Sequence, residues 1–294
     1  MQRLIGFLRL TRPANIVTAI SDIVAGAAIA SMVSSVVDIS SILWLVLATV
    51  GLYGGGVVFN DVFDADLDRV ERPERAIPSG LISVKEGALL GACLLFIGVV
   101  AASFVALWPS GILAFAIAIA ALVYDKWGKH HPFFGPLNMG LCRGLNLLLG
   151  LSVVPDIIHT QYVFIFVTPI IYIAAITMIS RGEVHGSRSK TLVFAAFLYL
   201  LVITTITYTA IHYKNLPVTL ALLILFIGLI APPLGKAIQE PLGKNIGKAV
   251  KAGVIALIIM NAAWAAAFGA FWFALIALAL LPVSLLLAKA FAVT

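Results

Sequence analysis

Six of the thirteen acidic residues fall within one short segment, Asn60-Asp-Val-Phe-Asp-Ala-Asp-Leu-Asp68-Arg-Val-Glu-Arg72-Pro-Glu74. If a helix continues past Asn60, a turn of about 100° per residue sets Asp61, Asp64, Asp68 and Arg72 within an arc of roughly 80°, with Asn60 at its border and Asp66 pointing elsewhere. Like carboxylates on one face repel, and at a membrane boundary their desolvation is costly unless a cation neutralises them. An all-oxygen donor set suits Mg²⁺, which keeps waters and takes only one or two carboxylates beside phosphate oxygens. The chemistry indicated is metal-assisted handling of a phosphorylated substrate. The plainer alternative is a solvated charged loop, of which Asp66, Glu71 and Glu74 are ordinary members.

Two further polar segments interrupt apolar sequence. Ser180-Arg181-Gly182-Glu183-Val184-His185-Gly186-Ser187-Arg188 carries one acid, Glu183, which either joins the first cluster or pairs at the surface with Arg181 or Arg188. His185 reads as a solvated loop residue. Tyr124-Asp125-Lys126-Trp127-Gly128-Lys129-His130-His131 offers Lys126 and Lys129 either as phosphate contacts or as membrane-boundary anchors. The adjacent His130 and His131 make no convincing metal site, because neighbours in sequence rarely face one ion. Arg143, with Asn146 three residues on and on the same face, is a base within an apolar run and so a functional candidate; the alternative is a buried pair with Asp125 or Asp22. Asn15 and Asp22 share a helix face. Gly54 to Gly56 suit close helix packing.

These residues must be positioned by a membrane-spanning scaffold. Of 294 residues, 62% are hydrophobic and 11% charged, and the mean hydropathy is +1.11; charged residues are about a quarter of an ordinary globular chain, so a soluble fold is excluded. Apolar windows near 14–33, 41–60, 83–107, 109–124, 134–154, 161–180, 191–211, 216–234, 249–269 and 271–288 are each close to the length a spanning helix needs. The fourth is short, and the last two are separated only by Gly269 and Ala270, so the expectation is an all-α polytopic bundle of nine or ten transmembrane helices. Period-two alternation is lacking, which argues against a barrel. With the N-terminus cytoplasmic, seventeen of the nineteen Lys and Arg residues lie on the inner side; Lys214 and Arg143 are the exceptions. The segment Met1 to Pro13 is too basic and interrupted for a signal peptide, and Gln2 to Leu10 suits an interfacial amphipathic turn or two. Cys93 and Cys142 lie in apolar runs, indicating neither a disulfide nor a thiolate metal site. The bases form no patch of their own, so no nucleic-acid partner is expected. With no linker or shift in composition, residues 1–294 read as one domain.

Asn60-Asp61-x-x-Asp64-x-x-x-Asp68, followed by Arg72-Pro73-x-Arg75-x-Ile77-Pro78-Ser79-Gly80, resembles the first signature of the UbiA-type intramembrane prenyltransferases. The resemblance extends to Arg12-Pro13-x-Asn15 and to the second polar segment four spans later. It implies a helical bundle around a lipid-open cavity, with Mg²⁺ and the diphosphate of an isoprenoid donor held at the cytoplasmic mouth by Asn60, Asp61, Asp64, Asp68 and Glu183. It also implies substrate contacts from Arg12, Asn15, Asn60, Arg72, Tyr124, Lys126, Lys129, Arg143, Asn146 and Arg181. Two departures stand out. The family usually has two acids four apart in the second motif, where this chain has Glu183 and Ser187; and its tyrosine–lysine interval of four becomes Tyr124 to Lys129. His131-Pro-Phe-Phe-Gly-Pro through Asn146, Arg-Gly-Glu-Val-His-Gly and the terminal Phe-Ala-Val-Thr resemble the UbiA-like branch of bacterial Ebo clusters, which implies a bacterial plasma membrane. The first motif alone also resembles archaeal enzymes that geranylgeranylate glyceryl phosphate.

The resemblance implies electrostatic catalysis: Mg²⁺ with Arg72, Lys126 and Arg143 neutralises the departing diphosphate, and Tyr124, Phe133, Phe134 or Tyr172 faces the allylic cation. The acceptor is a small molecule or lipid, and Asp125 or Glu183 is the nearest thing to a general base. The CDP-alcohol phosphotransferase pattern fails, since Ala65-Asp66 follows Asp64. A rival from another class is a carrier that binds a polyprenyl-phosphate-linked metabolite without chemistry, drawing on Arg143, Asn146 and the single acid of the second motif; transporters, however, usually bind near the midplane.

Overall fold

The computed structural model describes residues 2–34, 37–183 and 186–291; these form helices joined by turns and loops, with no strand among them. The helices are α1 (Gln2–Thr11), α2 (Pro13–Ala30), α3 (Ile39–Phe63), α4 (Ala65–Glu71), α5 (Val84–Ser103), α6 (Ile112–Val123), α7 (Phe134–Leu151), α8 (Val167–Ser180), α9 (Ser189–His212), α10 (Leu216–Gln239), α11 (Gly243–Ala267) and α12 (Phe271–Ala290). Among the described residues nine helical stretches are long and apolar enough to cross a membrane, the first running through α1 and α2. The predicted fifth window, α7, forms its helix but falls outside that set; Asn138, Arg143 and Asn146 interrupt its apolar run. The last two windows do not merge. Gly269 adopts φ 83, which only glycine takes without strain, and closes α11 before α12 starts.

α2 and α11 form the interior of the bundle and α12 lies on its outside: 83% of the best α11 window is buried against 17% for α12. The composition explains the difference. α11 carries a run of small residues around Asn261 and Trp264, which lets neighbours approach from every side, whereas α12 exposes Trp272, Leu275, Ile276 and Leu286 as a lipid-facing surface must. α3 packs closely on α5 through glycine: a Cβ on Gly51 would lie 2.5 Å from the Leu94 carbonyl oxygen, and one on Gly98 2.9 Å from that of Ala48. The predicted packing role therefore holds for Gly55 too, which meets Leu95 and Gly91, while Gly56 faces α6 at Ala121.

The ends of the helices aim the polar residues. Asp38 caps α3 by accepting from the backbone of Ser40 and Ser41, and these donors together with the two hydroxyls hold its carboxyl down at about 2. α1 exposes Leu4, Ile5 and Leu8 while burying Leu10, the amphipathic pattern expected of Gln2 to Leu10. Between α1 and α2, Arg12 takes a left-handed backbone, φ 48, immediately before Pro13. That conformation is costly for a side chain with a Cβ, and Arg12 uses it to reach Asp61 at 2.9 Å.

Candidate functional site

α3 does not run on through the acidic cluster. It ends at Phe63, Asp64 stands at the junction with φ −89 and ψ 3, and α4 starts at Ala65. The predicted common face is therefore divided. Asp61 and Asp68 converge on one guanidinium, Arg75, at 3.2 and 2.8 Å, while Asp64 turns to the ammonium of Lys129. Arg12 also binds Asp61, and Arg72 lies 3.9 Å from Asp68. Arg75 belongs to the signature, but nothing in its spacing shows that it bridges the two carboxylates.

A cavity of about 400 Å³ opens beside this cluster. Its mouth is lined by Arg12, Asn15, Asn60, Asp64, Arg72, Arg75, Tyr124, Asp125, Lys129 and Glu183, its middle by apolar side chains such as Leu52, Val57, Ile117, Ile176 and Leu257, and its far end by Thr49, Arg143 and Asn146. Asp61 and Asp68 are 6% and 2% exposed and lie a layer back, behind Arg12 and Arg75. Asn60 donates to Asp125 at 2.9 Å. Burial raises the Glu183 carboxyl above its ordinary range, with Arg72 and Arg12 drawing it back; its Oε1 is buried and finds no hydrogen-bond partner among the described residues. Neither Arg181 nor Arg188 pairs with it among those residues, and His185 lies outside them.

Several expected site residues sit elsewhere. Lys126 is exposed, packs over Trp127 at 4.7 Å and does not line the cavity. Its place is taken by Lys129, because the segment Tyr124–Gly128 makes a π turn: the Lys129 N–H donates to the Tyr124 carbonyl five residues back, at 2.9 Å. The extra residue in the tyrosine–lysine interval is absorbed there. Arg181 turns from the cavity and donates to the carbonyls of Lys129, His131 and Pro132, holding the loop that carries Lys129. Of the four aromatic candidates only Tyr124 lines the cavity. Phe133 and Phe134 are exposed, and Tyr172 is fully buried with its hydroxyl on the Gly253 carbonyl at 2.8 Å. Tyr53, not foreseen, is a second cavity ring. Arg143 does pair with Asp22, at 2.8 Å, the plainer of its two readings, yet it also lines the cavity. His131 accepts from the backbone of Phe133 and Phe134 and so has a local structural role.

Among the described residues no three carboxylates, imidazoles or thiols come together as a ready-made metal cluster. The donors nonetheless fit a hard divalent ion. They are all oxygen, two carboxylates already converge on one cationic group, and the buried Glu183 Oε1 is a further acceptor at the mouth.

The arrangement is an intramembrane pocket with a charged mouth and apolar walls, as an enzyme acting on an amphipathic phosphorylated substrate requires. The description "UbiA prenyltransferase family" matches residues 21–232, and the chain belongs to that family. It is similar to digeranylgeranylglyceryl phosphate synthases of Saccharolobus solfataricus (30% identical over 146 residues, 49% of this chain and 50% of the relative), Natronomonas pharaonis (33% over 150 residues, 51% and 53%) and Sulfurisphaera tokodaii (26% over 190 residues, 62% and 67%). The chain thus spans from half to about two thirds of the length of these relatives. In fold it is similar to a UbiA homolog from Aeropyrum pernix K1 (TM-score 0.65, 16% identical, 84% of this chain and 96% of that one) and to one from Archaeoglobus fulgidus solved with DMAPP and Mg²⁺ (TM-score 0.63, 15% identical, 86% and 99%). The expected family, all-helical membrane fold and prenyltransferase class are borne out. These relatives carry the archaeal side of the resemblance and not the Ebo branch specifically.

Proposed function

We propose that this chain, working as one domain over its 294 residues, transfers an isoprenoid group from a polyprenyl diphosphate to a small-molecule or lipid acceptor, with Mg²⁺ as cofactor. The carrying observation is the cavity itself: apart from Arg143 at the far end, its cationic and acidic side chains gather at the mouth, and apolar ones line its middle. A diphosphate with a hydrocarbon tail is the ligand whose two ends match those two regions. The mouth and the N-terminus face the cytoplasm of a plasma membrane, in keeping with the distribution of bases. Resemblance to the Ebo branch favours a bacterial membrane, and the relatives' name favours a geranylgeranyl donor and a glyceryl phosphate acceptor.

Asp61, Asp64 and Asp68, with Asn60 and Glu183, would hold Mg²⁺, which neutralises diphosphate charge when bound. Arg12, Arg72 and Lys129 meet the remaining phosphate oxygens, and Arg181 keeps the Lys129 loop in place. As the bond between the isoprenoid carbon and the diphosphate oxygen breaks, these cations stabilise the leaving charge. Tyr124, at the mouth, presents its ring to the allylic cation, and the apolar wall keeps out the water that would quench it. Asp125, held by Asn60, is the carboxylate placed to take the acceptor's proton. The carrier reading keeps one observation in its favour, the single acid of the second motif.

The deciding experiment is Mg²⁺-dependent turnover of labelled geranylgeranyl and farnesyl diphosphate by purified protein with a host lipid extract, beside Asp61→Ala and Asp64→Ala. A prenylated product lost in both variants supports the transferase. Diphosphate binding without product supports the carrier, and full turnover in the double variant overturns the metal assignment.

A further inference from the structure

The inner end of the cavity is polar, where a pocket serving only a hydrocarbon tail would be apolar. Thr49, Arg143 and Asn146 line it, and Asp22 lies behind them, 0% exposed. One Asp22 oxygen accepts from Arg143 at 2.8 Å and Asn146 at 2.9 Å, and the other from Asn261 at 2.7 Å. Asn146 also accepts from Thr49 at 2.6 Å and donates to the Ala19 carbonyl at 3.0 Å. Asp22 and Asn146 are therefore engaged from within the protein. Arg143 differs: its guanidinium donates to Asp22 and Thr18 and lies 5.2 Å from the Tyr53 ring, and it carries more N–H donors than those contacts use. Polar groups at membrane depth are expensive and tend to be functional.

We infer that Arg143 forms an acceptor subsite selecting a neutral oxygen, a hydroxyl or carbonyl, over a carboxylate or phosphate. The inference rests on the prenyltransferase reading and names its acceptor class. The selectivity follows from charge. Asp22 already neutralises Arg143, so the pair offers hydrogen bonds without net positive charge, and a second anion beside the guanidinium would be repelled by the Asp22 carboxylate in a poorly solvated site. Position follows from α3: Tyr53, beside Arg143, lies seven residues before Asn60, so the subsite is about 10 Å further in than the mouth at 1.5 Å per helical residue. The acceptor thus presents its nucleophile near the mouth and a neutral polar group about two helical turns deeper. An isoprenoid tail pressed against this end would leave guanidinium donors unmet.

The test is equilibrium dialysis of the full chain in detergent against two labelled probes sharing one ring, 2-(4-hydroxyphenyl)ethanol and 4-hydroxyphenylacetate, with farnesyl diphosphate binding measured on the same preparations. Wild type is expected to bind the alcohol about tenfold or more tighter than the carboxylate. Asp22→Asn, which removes the counter-charge, is expected to narrow or invert that ratio by about tenfold. Equal or tighter carboxylate binding by wild type overturns the inference, as does an unchanged ratio in Asp22→Asn or no binding of either probe at millimolar concentration. If Asp22→Asn does not fold, the wild-type ratio decides alone. Diphosphate binding without discrimination between the probes removes the subsite and leaves the transferase reading intact; discrimination without diphosphate binding does the reverse.

Discussion

Replacing Arg75 by methionine should destabilise the protein in a way that Mg²⁺ partly repairs. Arg75 is 17% exposed at its side chain and bridges Asp61 at 3.2 Å and Asp68 at 2.8 Å, carboxylates that are themselves 9% and 3% exposed at the side chain. Breaking a buried pair by removing one partner costs about 3 to 5 kcal/mol, because the abandoned charge stays desolvated. Arg12 remains on Asp61 and Arg72 lies 3.9 Å from Asp68, so the cost is discounted to about 2 to 3 kcal/mol, equivalent to roughly 5 °C or more in the unfolding midpoint of a chain this size. In wild type a metal ion must compete with the guanidinium for the two carboxylates; in Arg75→Met it does not. Mg²⁺ should therefore raise the midpoint of the variant by more than that of wild type, following the linkage between ligand binding and stability. The assay is thermal unfolding by tryptophan fluorescence in one detergent, with EDTA and with saturating Mg²⁺. A variant midpoint within about 1 °C of wild type in EDTA would refute the electrostatic argument. A loss identical in EDTA and in Mg²⁺ would refute the placement of the metal.

The two lysines of the α6–α7 segment should behave differently: Lys129→Ala is expected to raise the KM for the diphosphate donor about tenfold or more, since a charge-assisted contact is worth about 1.5 to 3 kcal/mol, whereas Lys126→Ala, exposed and stacked on Trp127, should leave steady-state kinetics within twofold. Arg181→Ala should raise the same KM by releasing three backbone carbonyls of the Lys129 loop, and Gly135→Ala should imitate it, because the new Cβ would lie 2.6 Å from the Arg181 guanidinium; kinetics on both variants check this. Gly98→Ala places a Cβ 2.8 Å from Leu52 and should lower the unfolding midpoint, at a cost of about 1 to 3 kcal/mol for overpacking, as thermal unfolding would show.

What could be read from the chain divides along the distance over which each interaction acts. The acidic cluster was legible because Asp61, Asp64 and Asp68 are close in sequence, and their spacing alone raises the question of what neutralises them. The answer was not legible, since it depends on a one-residue break in backbone geometry at Asp64 and on Arg75 returning from beyond α4. The spans followed from composition, yet α7 shows the limit of that reasoning: Arg143 and Asn146 lower its apolarity because they are matched by Asp22, more than a hundred residues away and invisible to any local pattern. Sequence could state the alternatives for Arg143 but not decide between them, and the structure makes them compatible, since one guanidinium both pairs with Asp22 and faces the cavity.

The tyrosine–lysine interval makes the same point most sharply. Counted on an α-helix, Tyr124 and Lys129 diverge by one residue from the spacing that stacks two side chains, and the count favours Lys126 as an equal candidate. In a π turn the hydrogen bond reaches back five residues instead of four, and the Tyr124–Lys129 bond is of that kind. An apparent insertion thereby keeps its lysine at the cavity and turns Lys126 out onto Trp127. Such turns are frequent at functional sites because they re-aim one side chain without moving the helix that carries it. Here the re-aimed group is the ammonium that meets Asp64, so with one residue more in the interval a cation still stands at the cavity beside the acidic cluster.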